Sequence, residues 1–408
     1  MTFEVRGLED GQWDDWFDRT DRVFGGSAPP EERARLKAVA EVDRSIAAWD
    51  GDEIVGSAGA YSFRMSVPGG ALVPTAGVTC VSVQPTHRRR GVLTSMMRAQ
   101  LDDVRGRGEA LAVLTASEPE IYGRFGYGVT SKQLGVNIDT TRVRLTPPAG
   151  VDDVTLRFVG LEEGLELCEA VYARVVAARP GMLARQPGWA RTPLVDPPSQ
   201  RAGASERLCV LAQVEGEVRG YARYAVKLDS TAGGPDGVVL VRDVDAVDPV
   251  TYAALWRYLF GIDLTSRISS YNRPADDPLL HLVSDVRRCL VSTKEGLFAR
   301  LVEVGAALEA RTYTTPVDVV LEVADSFCPW NEGRWRLTGD PKGAVCVRTA
   351  DPADLALSVR ELGAAYLGGV SLSALAGAGR VRELRDGALR EAAVAFGSDV
   401  APWLAHGF

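Results

Sequence analysis

The stretch from Thr79 to Thr115 constrains this chain more than any other. Thr79–Val83 is rich in β-branched residues and reads as a strand. A polar loop, Gln84-Pro85-Thr86-His87-Arg88-Arg89-Arg90, follows it, and then a helix runs from Gly91 to Val104. Val92, Met96 and Val104 with Leu93, Met97 and Leu101 recur at helical spacing and form one apolar face. Gly106 and Gly108 end that helix, and Ala110–Thr115 is the next buried strand. Strand, loop, helix and strand in this order place the loop at a strand's C-terminal end, where ligands sit in open α/β sheets. Upstream, Ser45–Ala48 and Ile54–Phe63 read as strands joined by the hairpin signal Asp50-Gly51-Asp52.

The loop has a definite chemistry. A glycine-containing turn at a helix start presents free backbone N–H groups, and the helix N-terminus adds roughly half a positive charge. Three arginines stand beside it. Together these suit a diphosphate.

Punctuation divides the rest of the chain. A first segment ends at Thr146-Pro147-Pro148-Ala149-Gly150, and a second runs to the region of Tyr271–Pro274, with a tail reaching Arg287-Arg288. The Pro-rich stretch Pro193–Ser205 reads as an internal loop. The second segment repeats the scaffold of the first, with a strand at Val238–Val247 and a helix at Thr251–Phe260. Asp248-Pro249-Val250 joins them without arginine or glycine, so the repeat lacks the loop chemistry. In the third segment Val317, Val319, Leu321 and Val323 alternate as in a half-buried strand. Strands are expected at Arg334–Leu337 and Gly343–Thr349, then a helix from about Pro352 to Leu367 and a short one near Leu372–Ala376. That order indicates α+β.

Several classes are excluded or disfavoured. A net charge of −8 argues against a uniformly basic nucleic-acid binder. Within residues 1–50, twelve acidic side chains face seven basic ones, a distribution that fits either a solvated acidic face or a funnel for a cationic substrate. The six cysteines form no CxxC pair and read as reduced, buried thiols of a cytosolic protein. The three histidines (His87, His281, His406) show no metal-ligand spacing, so no metal is expected. MTFEVRGLEDGQ lacks the basic start and apolar core of a signal peptide, which points to the cytoplasm. No apolar run approaches the ~18 residues of a membrane span.

Two motifs carry a resemblance. Arg88-x-x-Gly91-x-Leu93 resembles the R/Q-x-x-G-x-G/A pyrophosphate loop of GNAT N-acetyltransferases, with Leu93 where that pattern has Gly or Ala. Ser117-Glu118-Pro119-Glu120-Ile121-Tyr122-Gly123-Arg124-Phe125-Gly126-Tyr127-Gly128 is similar to the GNAT element beside the thioester. With Glu295–Val302 and Tyr366–Val370, the whole chain resembles the enhanced-intracellular-survival (Eis) acetyltransferase family. The resemblance implies an α+β protein of tandem GNAT-like domains, mixed central sheets flanked by helices, plus a C-terminal sterol-carrier-protein-like α+β domain. The expected spans are 1–146 (acetyl-CoA-binding GNAT domain), 151–287 (a second GNAT-like domain without the pyrophosphate loop) and 288–408. It also implies a homohexamer.

Roles follow by position from the same resemblance. The backbone of Val81, Ser82 and Val83 should pair with pantetheine amides of acetyl-CoA. Arg89, Arg90, Gly91, Val92, Leu93 and Thr94 should hold the pyrophosphate, and Ser117 and Glu118 should line the cleft near its reactive end. Tyr122 matches the family's general acid, and a phenol of pKa ~10 can protonate a departing thiolate of a thiol of pKa ~8.5. Phe125 and Tyr127 read as packing residues. The family's base is the C-terminal α-carboxylate, here that of Phe408, with His406 and His87 as rivals. The apolar end Ala401–Phe408 is expected to dock rather than hang in water. The implied acceptors are amines of a small polycation, typically an aminoglycoside, with peptide lysines as an alternative. A non-catalytic lipid-binding oligomer using the third domain is the other class. Trp13, Trp16, Phe24 and Trp49 are aromatic candidates for either a pocket wall or the core.

Overall fold

A computed structural model describes residues 3–26 and 28–408. Two large sheets share one plan. The first has eight strands, in the order Glu4–Gly7, Ile46–Asp50, Glu53–Ser66, Leu72–Val83, Leu111–Leu114, Phe298–Leu301 and Gly128–Val129, with Leu183–Ala184 paired to the third of these. The second has seven, in the order Ser292–Glu295, Lys132–Asp139, Thr265–Pro274, Gly237–Ala246, Glu217–Lys227, Leu208–Val214 and Thr155–Val159. Each contains one parallel pair. Leu72–Val83 runs beside Leu111–Leu114, and Gly237–Ala246 beside Thr265–Pro274. A helix makes each crossover, Val92–Gly106 in the first and Pro249–Phe260 in the second. A parallel pair requires such a crossover. The apolar face expected on Val92–Gly106 is the buried one: Val92, Met96, Met97, Leu101 and Val104 all lie inside.

The sheets cut across the boundaries expected from punctuation. Lys132–Asp139 lies within the expected 1–146 span yet pairs with Thr265–Pro274 in the second sheet. Past residue 288, Ser292–Glu295 pairs with Lys132–Asp139, and Phe298–Leu301 inserts between Leu111–Leu114 and Gly128–Val129 of the first sheet. Proline and glycine mark where the chain turns. Strand exchange depends on which distant ladder has an open edge, and no local composition records that.

The third unit holds a five-stranded sheet in the order Gly343–Arg348, Gly333–Asp340, Val317–Ala324, Leu355–Ser358 and Val381–Glu383. Part of the expected helix Pro352–Leu367 is therefore strand. Leu355 and Leu357 alternate with half-buried neighbours and pair parallel to Val317–Ala324. The helix begins only at Val359, because Ser358 caps it: its Oγ accepts from Arg360 N and donates to the Glu361 carboxylate. That is the Ser-x-x-Glu start signal.

The third unit docks on the first through backbone contact. A Cβ on Gly128 would lie 2.1 Å from Arg360 O, and one on Gly363 would lie 2.4 Å from Ala299 O. Beside this seam Arg300, from the inserted strand, meets Asp325 at 2.6 Å with both side chains essentially inaccessible. Asn331 Nδ2 (3.0 Å) and Cys328 N (3.0 Å) also donate to Asp325. Arg300→Met is expected to destabilise the protein by about 3–5 kcal/mol, because it strands a buried carboxylate. The denaturant midpoint measures this, and an unchanged midpoint would contradict the seam's importance.

Candidate active site

The site begins with a defect in a ladder. Glu53–Ser66 and Leu72–Val83 pair in register until Gly59 opposite Thr79, then resume at Ser57 opposite Ser82. The extra residue lies at Cys80, whose φ is +52°, so the strand bulges there. Ser57 Oγ holds the bulge by donating to Cys80 O at 2.8 Å, and it lies 2.8 Å from the hydroxyls of both Ser82 and Thr20. On its other side, Leu72–Val83 pairs with Leu111–Leu114 only at Thr75, Ala76 and Gly77. Beyond Gly77 the two parallel strands splay, and the backbone edge of Val81, Ser82 and Val83 opens into the gap.

The arginine loop closes one end of this gap. Pro85–His87 forms a single 3-10 turn, with His87 N donating to Gln84 O at 2.8 Å. Arg89 has φ +61° and Gly91 φ +86°. The second of these is the left-handed geometry that favours glycine. Helix Val92–Gly106 then starts with no side-chain cap, and its first bond runs from Ser95 N to Gly91 O. The amides before Ser95 form the helix mouth.

A cavity of about 750 Å³ fills the splay. Val81, Ser82, Val83, Arg89, Gly91, Val92, Leu93 and Thr94 line it from one side, and Ser117, Glu118 and Tyr122 from the other. Arg90 does not line it. Its guanidinium lies over the Phe3 ring at 5.0 Å and 3.9 Å from Asp50. Arg88 and Arg124 line the cavity instead. Three consecutive arginines cannot all face one way, and only the loop's backbone decides which do. His87 is tethered at the rim, with Nε2 3.1 Å from Asp50 and Nδ1 2.8 Å from Thr86 Oγ1. Helix-mouth amides, three cavity-facing arginines and an open strand edge form a donor set fitted to a diphosphate carrying an amide-bearing arm.

A second cavity, about 440 Å³, meets the first at Phe24, Val81, Ser117 and Tyr122. Phe17, Thr20, Asp21, Glu32 and Leu36 form one wall, from helices Trp13–Val23 and Pro30–Val39, and Phe408 closes another. Asp21 and Glu32 belong to the acidic excess of residues 1–50, and nothing in the sequence singles them out from the rest of it. Trp13, Trp16 and Trp49 are core, whereas Phe24 is 56 % exposed and stands at the junction of the cavities.

Tyr122 ends the short helix Pro119–Tyr122 and is only 6 % exposed. Burial, and secondarily the Glu118 charge, push its phenol up to about 12. Its hydroxyl has no hydrogen-bond partner among the described residues. Phe125 and Tyr127 are fully buried beneath it, as packing residues should be. Burial also raises the Cys80 thiol, to about 11.

The C-terminal end crosses all three units. Trp403 N donates to Pro180 O at 2.9 Å, and the Phe408 ring packs edge-on against Phe63 at 5.2 Å. His406 lies beside Trp189 and Tyr172, outside both cavity linings. Burial first, and Arg185 second, lower its pKa to about 3, so it stays neutral and is a poor base. Among the described residues, no cluster of His, Cys, Asp or Glu could hold a metal ion, and no helix is long and apolar enough to cross a membrane.

Family comparisons agree with this architecture. Residues 4–130 and 181–301 each match an acetyltransferase (GNAT) domain, and residues 304–405 match a sterol carrier protein domain. An uncharacterized N-acetyltransferase of Streptomyces avermitilis is 62% identical over 409 residues, covering 100% of both chains. N-acetyltransferase Eis of Mycobacterium tuberculosis is 33% identical over 412 residues, covering 98% of each. The crystal structure of Eis1 from Mycobacterium abscessus superposes with a TM-score of 0.86 at 33% identity, covering 100% of each chain. Tandem GNAT domains, a sterol-carrier-like third domain and full-length identity to Eis proteins make this chain a member of the Eis family of GNAT N-acetyltransferases.

Proposed function

We propose that the chain transfers an acetyl group from acetyl-CoA to primary amines of a polycationic small molecule, with aminoglycosides as the best-fitting class and more than one amine as the target. The observation that carries this reading is the meeting of two chemically opposite cavities at Tyr122. One is lined by Arg88, Arg89 and helix-mouth amides, and the other by Asp21, Glu32 and Phe408. An anionic co-substrate and a cationic acceptor would each find their own side.

The edge of Val81–Val83 would pair with the pantetheine arm, and Arg88, Arg89 and residues Gly91–Thr94 would hold the diphosphate. Arg90, turned toward Asp50, leaves the proposed phosphate set. The acceptor amine must lose a proton before it attacks. An ammonium of pKa ~10.4 is neutral in only about one part in 10³ at pH 7, a deficit of roughly 4–5 kcal/mol. The Phe408 carboxylate takes that proton. The C–N bond forms, the C–S bond breaks, and the Tyr122 hydroxyl donates to the leaving sulfur. With its pKa near 12, the phenol carries its proton throughout the working range. It therefore begins as a hydrogen-bond donor to developing charge, and the proton passes as the bond opens. Assembly as a homohexamer is proposed from the family resemblance alone.

Incubation with acetyl-CoA, an aminoglycoside or a lysine peptide, and a thiol reagent tests the reading. Aminoglycoside-dependent thiol release is expected, and peptide-only release would reassign the acceptor. Arg89→Ala should weaken acetyl-CoA binding by roughly 1–3 kcal/mol, as expected for a lost charged hydrogen bond; titration calorimetry reads it directly. Tyr122→Phe should lower kcat by about 10²–10⁴-fold, the usual worth of a general acid, with acetyl-CoA affinity kept. Because the phenol's pKa is raised, the wild-type enzyme should show no alkaline loss from Tyr122 below about pH 12. An alkaline limb near pH 9 that Tyr122→Phe abolishes would exclude this assignment. Residues appended after Phe408 should depress kcat most at low pH, where the amine most needs a base.

A further inference from the structure

The second GNAT-like domain repeats the splay but not the open cleft. Gly237–Ala246 and Thr265–Pro274 pair in parallel from Gly237 to Leu240 and then diverge, as the corresponding strands of the first domain do after Gly77. Where the first domain has a helix mouth without a cap, here Asp248 caps the helix, its Oδ1 accepting from Thr251 N at 2.8 Å. The anion position is filled by the chain's own carboxylate. The gap between the diverged strands is filled as well. The buried Arg273 guanidinium reaches across it, donating weakly to Val244 O at 3.4 Å and strongly to Asp277 at 2.6 Å.

The C-terminal segment lies on this plug. Arg273 sits 5.6 Å from the centre of the Trp403 ring. Next to it, the register of Thr265–Pro274 against Lys132–Asp139 slips between Ser270 and Arg273. That bulge re-aims Asn272 at the segment. Asn272 Oδ1 accepts from Trp403 Nε1 at 2.8 Å, and its Nδ2 donates to Leu404 O at 3.0 Å and Ala405 O at 3.2 Å. An indole only donates and a carbonyl only accepts, so the network sets the amide's orientation by itself. One side chain thus grips three consecutive residues, and Phe408 follows three positions later in the wall of the acceptor cavity.

We infer that the second domain's cleft has become a clamp for the chain's own C-terminal segment, with Asn272 as the positioning residue that sets where the Phe408 carboxylate lies in the acceptor cavity. Its catalytic consequence rests on the proposed role of Phe408 as base. Its structural content does not.

Two readouts separate the two. Carboxypeptidase A removes an exposed C-terminal aromatic residue, so release of free phenylalanine reports undocking without reference to catalysis. Asn272→Ala, and Asn272→Asp (which keeps the acceptor and loses both donors), should release it roughly ten- to hundred-fold faster than wild type, for three and two lost net hydrogen bonds respectively. Both should also lower kcat, by up to about 10²-fold for a misplaced group, with the KM for acetyl-CoA unchanged. The deficit should shrink as pH rises toward the amine's pKa. Trp403→Phe, which removes the indole N–H together with part of the buried ring, should show the same pattern and serves if the Asn272 variants fail to fold. Release at the wild-type rate would overturn the clamp, whatever happens to kcat. Fast release with unchanged kcat would overturn the positioning role. Unchanged turnover in a chain extended beyond Phe408 would then trace that failure to the base assignment.

Discussion

The site depends on a strand that leaves its ladder. Leu72–Val83 is held to Glu53–Ser66 on both sides of the bulge at Cys80, yet it keeps its parallel neighbour for only three residues. The bulge at Cys80, stitched by the Ser57 hydroxyl, turns the strand's outer edge away from Leu111–Leu114. Unpaired backbone groups in a protein interior are costly, so such an edge persists where a ligand or water can pair with it. The helix mouth, the arginine loop and Tyr122 are arranged around this opening. Without it, their chemistry would converge on nothing.

The same plan occurs twice with opposite outcomes. In the first domain the splay stays open and positively lined. In the second, Asp248 occupies the helix start and Arg273 spans the gap. A glycine-containing arginine loop and Asp-Pro-Val occupy corresponding places, and this local difference decides between a binding cleft and a packed support. The third domain's sheet stands apart, but its chain supplies the segment that closes the second cavity, and Phe298–Leu301, just ahead of it, enters the first sheet. The three units are therefore one interlocked body, tied by strand exchange, by the Arg300–Asp325 pair and by the glycine-mediated contact at Gly128 and Gly363.

Much of this was legible beforehand. Helical spacing from Val92 to Val104 located the helix, and the glycine at its start located the phosphate-type loop, because both signals are local and periodic. Alternation in Val317–Val323 located a strand for the same reason. Leu355–Ser358 does not read as a strand in the sequence, because Leu355 and Leu357 are too few to display their period. Which of the loop arginines line the cavity is not legible in the sequence, because residue type does not tell which way a loop turns its side chains. Asp21 and Glu32 are two of twelve acidic residues in 1–50, and spacing alone does not separate them from the other ten.

The sequence by itself determined the chemistry on offer: an arginine loop at a helix start, a tyrosine after a buried strand, an acidic N-terminal region and an apolar C-terminal end. Each is written in contiguous residues, where spacing and charge suffice. Only the tertiary structure decided that these meet. The exchange of Lys132–Asp139 and Phe298–Leu301 between sheets, the grip of Asn272 on Trp403 to Ala405, and the closure of an acid-lined cavity by Phe408 all join residues more than a hundred positions apart. Such contacts follow from which edges and faces remain open once the local elements have formed, and that information exists only in three dimensions.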